Sequence, residues 1–188
     1  MIPSVIDYLL QLPEAMHFAK VHELCSDGIS SYRMLSDYGS GTFQLIEFEN
    51  NLLLILIGDY KPKDTFEKIT EISEDYMEIS QFETDSSSFK IGGRKRNQVD
   101  KGIYCYLNTQ KKTYTYCEGG KAVRFTKVIL SPQYFQTYFK LHDENNARLL
   151  SSARDYLLKI LTSRNSISYF SRYGTARQRN YSKTLSGE

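Results

Sequence analysis

Between residues 41 and 139 the chain falls into short segments rich in β-branched and aromatic residues, each closed by turn-forming residues. In residues 42–48, Phe43, Leu45 and Glu47 alternate with Gln44, Ile46 and Phe48, while residues 52–57 form a continuous apolar run ended by Gly58 and Asp59. Residues 76–82 alternate Met77, Ile79 and Gln81 with Glu78, Ser80 and Phe82, and segments 88–91, 102–107, 113–116 and 122–130 follow. Many short strands at these intervals predict a mainly β sandwich or barrel. The 15 Tyr and 10 Phe in 188 residues supply rings for such a core, with no Trp.

Helical signals lie on either side. In residues 3–24, Val5, Ile6, Leu9, Leu10 and Leu12 are separated by Pro13 from Met16, Phe18, Ala19 and Val21, which predicts one or two short helices broken near the proline. Residues 26–41 read as loop with a short strand around 31–35. Ser131-Pro132 is a helix start, serine as N-cap and proline at the first helical position, and Tyr134, Phe135, Tyr138 and Phe139 line one face. Over residues 146–162 a stripe of Leu149, Leu150, Ala153, Leu157, Ile160 and Leu161 recurs at three- and four-residue spacing, with Arg148, Arg154 and Lys159 off it. The expected organisation is a helical and loop segment (1–40), a barrel (41–130), a helical segment (131–162) and a flexible basic tail (163–188).

Catalytic signatures are scarce. Cys25, Cys105 and Cys117 have no CxxC spacing and read as free thiols, although Cys105 and Cys117 sit where a hairpin would bring them near each other. His17, His22 and His142 lie outside the strand-rich region, and a metal centre in a barrel needs several ligands converging from its strands, so no metal or other cofactor is expected. No P-loop, GxSxG or GxGxxG is present. Gly92-Gly93 and Gly119-Gly120 read as turns, and Arg94, Lys95 and Arg96 as the basic tip of a hairpin. Glu78, Glu83 and Asp85 share one strand and its turn, and edge solubility is their plainer role.

From Arg148 onward eight basic side chains face two acidic ones, giving +6 against −4 for the preceding residues. A nucleic-acid-binding region is one reading of this asymmetry, and a solvated helix face with a poorly ordered tail is the other. No apolar run approaches the ~20 residues that span a bilayer, and the N-terminus lacks a signal-peptide pattern, so a cytoplasmic location is expected. Tyr104, Tyr106, Tyr114 and Tyr116 alternate in two segments read as a hairpin, where their rings would share one face.

The phrase Tyr76-Met77-Glu78-Ile79-Ser80-Gln81-Phe82-Glu83, with Gly102-Ile103 about twenty residues on, precedes Gly120-Lys121-Ala122-Val123-Arg124-Phe125-Thr126-Lys127-Val128-Ile129-Leu130-Ser131-Pro132-Gln133-Tyr134-Phe135. Together with Gly39-Ser40-Gly41, these segments resemble the N-terminal sensing domain of AraC-type transcriptional regulators over residues 36–141. The resemblance implies a cupin-like β-barrel or jelly roll that receives a small effector, followed by helices through which two copies pair. It also implies a C-terminal helix-turn-helix domain, for which the 46 residues after His142 are too few. DNA contact is therefore expected only through a domain absent from this chain.

The expectation is a non-enzymatic effector-binding and dimerising module of a bacterial regulator; a small nucleic-acid binder using its basic C-terminal region is the alternative. Pocket candidates are Phe82, Tyr104, Tyr106, Tyr116 and Arg124, the arginine suited to an acidic ligand. Homodimer contacts are expected on the stripe of Leu149, Leu150, Ala153, Leu157, Ile160 and Leu161, which would leave apolar surface bare on a lone helix.

Overall fold

A computed structural model describes residues 5–48, 51–84, 87–91, 97–109, 112–140 and 145–162. Helix α1 (Val5–Ala15) precedes β1 (Phe18–Lys20), β2 (Ile29–Met34), β3 (Gly39–Phe48), β4 (Leu53–Pro62), β5 (Phe66–Thr70) and β6 (Asp75–Phe82). Then come β7 (Ser87–Ile91), β8 (Asn97–Val99), β9 (Gly102–Thr109), β10 (Thr113–Cys117) and β11 (Val123–Leu130), followed by α2 (Pro132–Phe139) and α3 (Asn146–Thr162). The strands form two antiparallel sheets, one ordered β1-β2-β3-β4-β11-β6-β9 and the other β5-β10-β7-β8. The fold is mainly β, as the segment pattern predicts.

Strand alternation divides the larger sheet into two faces with different partners. Phe43 and Leu45 on β3, Leu54, Leu56 and Tyr60 on β4, Tyr76 on β6, and Val123, Phe125 and Ile129 on β11 point to the first core, which also takes Val5 and Leu9 from α1. The opposite face carries Met77, Cys105, Leu107 and Leu130, and α2 and α3 cover it with Phe135, Leu149, Leu150 and Ala153. Burying each large aliphatic side chain there contributes roughly 1.5–3 kcal/mol.

The two covering helices are capped by side chains. Ser131 Oγ accepts from the Tyr134 amide at 3.2 Å with Pro132 in the first turn, and Asn145 Oδ1 accepts from the Arg148 amide at 3.1 Å.

Several expectations are corrected by pairing. Residues 16–21 do not form a second helix, because His17 turns into the left-handed region (φ 62) and Phe18–Lys20 then adds to β2 in the register Phe18↔Met34. Phe18 is thereby buried edge-on to Tyr60, with ring centroids 5.4 Å apart. Pro13 is accommodated within the last turn of α1. Since β1 and β2 belong to the larger sheet, residues 1–40 are not a separate helical and loop segment.

Gly58 and Asp59 do not end β4: the Phe125 ring lies where a Cβ on residue 58 would sit, 2.7 Å from Cε1, and Asp59 faces outward. The hairpin read for β9 and β10 is also absent, since β9 pairs with β6 while β10 pairs with β5 and β7. Cys25, Cys105 and Cys117 are all free thiols.

The described part of the α3 stripe is covered within the chain itself. Leu149, Leu150 and Ala153 are at most 1% exposed, and Leu157 packs partly buried against the same cluster. Their apolar character is thus accounted for without a second copy; the Ile160 and Leu161 side chains and residues 163–188 lie outside what is described.

One backbone position is constrained strongly enough to test. Gly41 has φ 124, and a Cβ there would collide with the Asp59 carbonyl and the Tyr60 Cα of the neighbouring strand. Gly41→Ala is expected to cost at least ~1–3 kcal/mol in urea unfolding, against under ~0.5 kcal/mol for the exposed neighbour Ser40→Ala. Equal stability of the two variants would contradict this account of the β3–β4 approach.

Candidate functional site

Between the sheets lies a cavity of about 160 Å³. An apolar cavity of about 150 Å³ holds a benzene molecule, so the space suits a compact organic ligand. Helix α1 supplies Tyr8, Leu9, Leu12 and Met16 to its wall, the larger sheet supplies Leu56, Glu78, Phe82, Tyr104, Phe125 and Lys127, and the smaller sheet Phe66, Lys68, Thr115 and Cys117. The Phe82 ring stands 5.8 Å from Tyr104, edge to face, and 6.1 Å from Phe125, tilted, giving one aromatic wall.

Most polar groups on this wall hold one another. Lys127 Nζ pairs with Glu78 Oε1 at 2.8 Å, and Ser80 Oγ donates to the same oxygen. Lys127 also lies 5.6 Å from the Phe82 centroid and 5.4 Å from that of Phe125, a cation–π arrangement. The Tyr8 hydroxyl meets Thr70 Oγ1 at 2.6 Å, while Cys117 Sγ is 3.8 Å from the Tyr60 hydroxyl and 3.9 Å from Ser87 Oγ. On β9, Tyr106 donates to Asn108 Oδ1 at 3.4 Å and Asn108 Nδ2 donates to the Glu74 carbonyl at 3.2 Å.

Lys68 is different. Among the described residues only its Nζ and Ser88 Oγ are buried side-chain atoms without a hydrogen-bond partner. Ser88, opposite Tyr116 in the β7–β10 ladder, also lines the cavity, and Lys68 lies opposite the cavity-lining Thr115. Its ammonium stands 4.7 Å from the Tyr8 ring centroid.

Burial first, and then the Lys127 charge, lower the Lys68 pKa to about 7. Burial also raises the Tyr8 pKa to about 12 and pushes those of Tyr60 and Tyr76 well up. The Cys117 thiol is likewise raised by burial, against its hydrogen bonds to Tyr60 and Ser87.

Of the residues singled out from sequence, Phe82, Tyr104 and Tyr106 line the cavity. Tyr116 and Arg124 do not. Strand parity places Thr113, Thr115 and Cys117 inward on β10 and Tyr116 outward. Arg124 stands directly opposite Asp59 on the outer face of β11 and β4 and pairs with it at 3.1 Å.

His17 is exposed and stacks on Tyr38 with ring centroids 3.7 Å apart, and His22 is exposed as well. His142, the glycine pair at 92–93, the basic residues at 94–96 and the basic tail lie outside the described residues. Among the described residues no group of three His, Cys, Asp or Glu is placed to hold a metal ion, and no helix is long and apolar enough to cross a membrane.

Sequence reasoning missed Lys68, Lys127 and Tyr8, and the edge-solubility role read for Glu78 is corrected, since its side chain lines the cavity and pairs with Lys127. Glu78 and Lys127 were legible in principle, being in phase with Phe82 and Phe125 on alternating strands.

No protein-family model matches the sequence, and no curated protein matches it. Among solved structures, the cupin domain of Cnp3 from Schizosaccharomyces pombe is similar at 10% identity and a TM-score of 0.39, over 55% of this chain and 74% of that one. Vicilin from Corylus avellana (hazelnut) is similar at 10% identity and a TM-score of 0.41, over 78% of this chain and 46% of that one. A predicted oxalate decarboxylase from Thermotoga maritima gives 16% identity and 0.38, over 57% and 96%. The chemistry of the interior is that of the residues described above.

Proposed function

We propose that this chain is a small-molecule sensor: its barrel cavity receives an effector, and the helices packed on the outside of the same sheet report whether the cavity is filled. The observation that carries the reading is the cavity between the sheets, lined by a lysine whose ammonium has no hydrogen-bond partner among the described residues. An unmatched buried cation is costly for a fold to retain, and a site that binds something gives it a use.

The route from cavity to helices is short. On β6, Glu78, Ser80 and Phe82 face the cavity while Met77 and Ile79 face α2 and α3; on β11, Phe125 and Lys127 face inward while Val128 and Leu130 face the helices. A ligand that shifts either strand therefore displaces the helix packing directly, and occupancy biases one helix arrangement over another. The segments that carry the resemblance to AraC-type sensing domains are these two strands and the start of α2, and the role of an effector domain in a transcriptional regulator is the one they support.

A fragment panel of small aromatic and aliphatic acids, amides and alcohols, read by amide chemical shifts, tests this. The expected result is movement of Thr70, Ser80, Tyr104 and Thr115 together with Leu149 and Leu150 on α3. Shifts confined to the surface would remove the cavity as a site, and cavity shifts with α3 unchanged would remove the reporting role.

A further inference from the structure

The ligand's chemical class follows from the charges inside the barrel, and this inference rests on the cavity being a ligand site. Lys127 from β11 and Glu78 from β6 neutralise one another at 2.8 Å. Lys68 from β5 is then a cation without a counter-charge, and its Nζ has no hydrogen-bond partner. Thr115 lies directly opposite it in the β5–β10 ladder, which sets a hydroxyl-bearing residue on the same face as the Lys68 side chain. The remaining wall is largely aliphatic and aromatic, including Leu9, Leu12, Phe43, Leu56 and Phe82.

We propose that the cavity binds a small monoanion, a carboxylate on a compact apolar body of about the size of benzoate, with the carboxylate held by the Lys68 ammonium and the body against the aromatic wall. Such an ion supplies the charge and the acceptor that Lys68 lacks, and the ~150 Å³ cavity that holds benzene sets the scale of the body.

Binding would be coupled to a proton. The other titratable groups lining the cavity with Lys68 are the Lys127–Glu78 pair, Tyr8 from α1, Tyr60 from β4 and Cys117 from β10, with Tyr76, Tyr104, Cys105 and Tyr106 further along the wall. The Cys117 thiol and the Tyr8, Tyr60, Tyr76 and Tyr104 hydroxyls are raised by burial and stay uncharged at neutral pH. Lys68 alone among the shifted groups is placed near 7, so a carboxylate requires it protonated and loses affinity as pH rises past that value.

The test compares benzoate with benzamide, and hexanoate with hexanamide, by calorimetry and amide shifts at pH 6.5 and 8.5. At pH 6.5 each acid is expected to bind at least tenfold more tightly than its amide. The preference should shrink at pH 8.5 and vanish in Lys68→Met, which keeps the length and apolar stem of the side chain. Amides binding as tightly as acids, or a preference for acids that survives in Lys68→Met, would overturn the anion while leaving the sensor reading in place. Absence of cavity shifts with all four probes would overturn both. Should Lys68→Met fail to fold, Lys68→Gln and the wild-type comparison at the two pH values decide the matter.

Discussion

Lys68→Met is expected to stabilise the ligand-free chain by a few kcal/mol at pH 6, and to remove a rise in stability that the wild type shows between pH 7 and about 8.5. In an unfolded chain a lysine titrates near 10.4, whereas in the fold burial and the Lys127 charge bring Lys68 to about 7. Between these values the unfolded chain binds a proton that the folded chain does not, so stability increases with pH there at up to ~1.4 kcal/mol per pH unit. Below pH 7 the penalty is present in full.

The upper end of that window is set by the thiols. Cys105 is raised to about 11 and Cys117 is also raised, so each contributes stability that is lost once unfolded cysteine begins to ionise near ~8.5. Urea unfolding of both proteins at pH 6, 7 and 8.5 checks the prediction, and identical flat profiles would mean that Lys68 carries no burial penalty. A lysine that weakens the empty fold is consistent with its retention for binding, where a ligand restores the balance.

A second large effect is expected at the outer face of the sheet. Leu150 is fully buried among Met77, Leu107, Leu130 and Phe135, and truncating a packed leucine leaves a cavity that costs about 2–5 kcal/mol. Leu150→Ala should therefore lower the urea midpoint sharply, while Tyr156→Ala, exposed on the same helix, should change stability by about 0.5 kcal/mol or less. If Leu150→Ala unfolds like the wild type, α3 does not pack on the sheet as described. A charge at Leu150 accordingly tests whether the chain folds, and pairing of two copies has to be probed at positions that α3 leaves exposed.

Much of the fold was legible because it is local. The Ser131-Pro132 start of α2, the stripe of α3 and the alternation along β6 and β11 depend on capping geometry and on periods of 3.6 and 2, which neighbouring residues alone express. Phe82, Tyr104 and Tyr106 followed from the same alternation. Arg124 and Tyr116 were misplaced because a period of 2 says which residues share a face without saying which face is inside.

Lys68 shows the remaining limit most clearly. In the strand Phe66–Thr70 the alternation sets Phe66, Lys68 and Thr70 on one side and Glu67 and Ile69 on the other, and hydrophobicity alone argues for burying Ile69. The structure leaves Ile69 51% exposed and turns Lys68 inward. The sequence by itself determined that the chain is a β protein with capped helices at its end, since those signals are written in adjacent residues. Only the tertiary structure decided which strands share a sheet, which helix covers it and which lysine is left inside without a hydrogen-bond partner among the described residues, because each depends on pairings between residues distant in the chain.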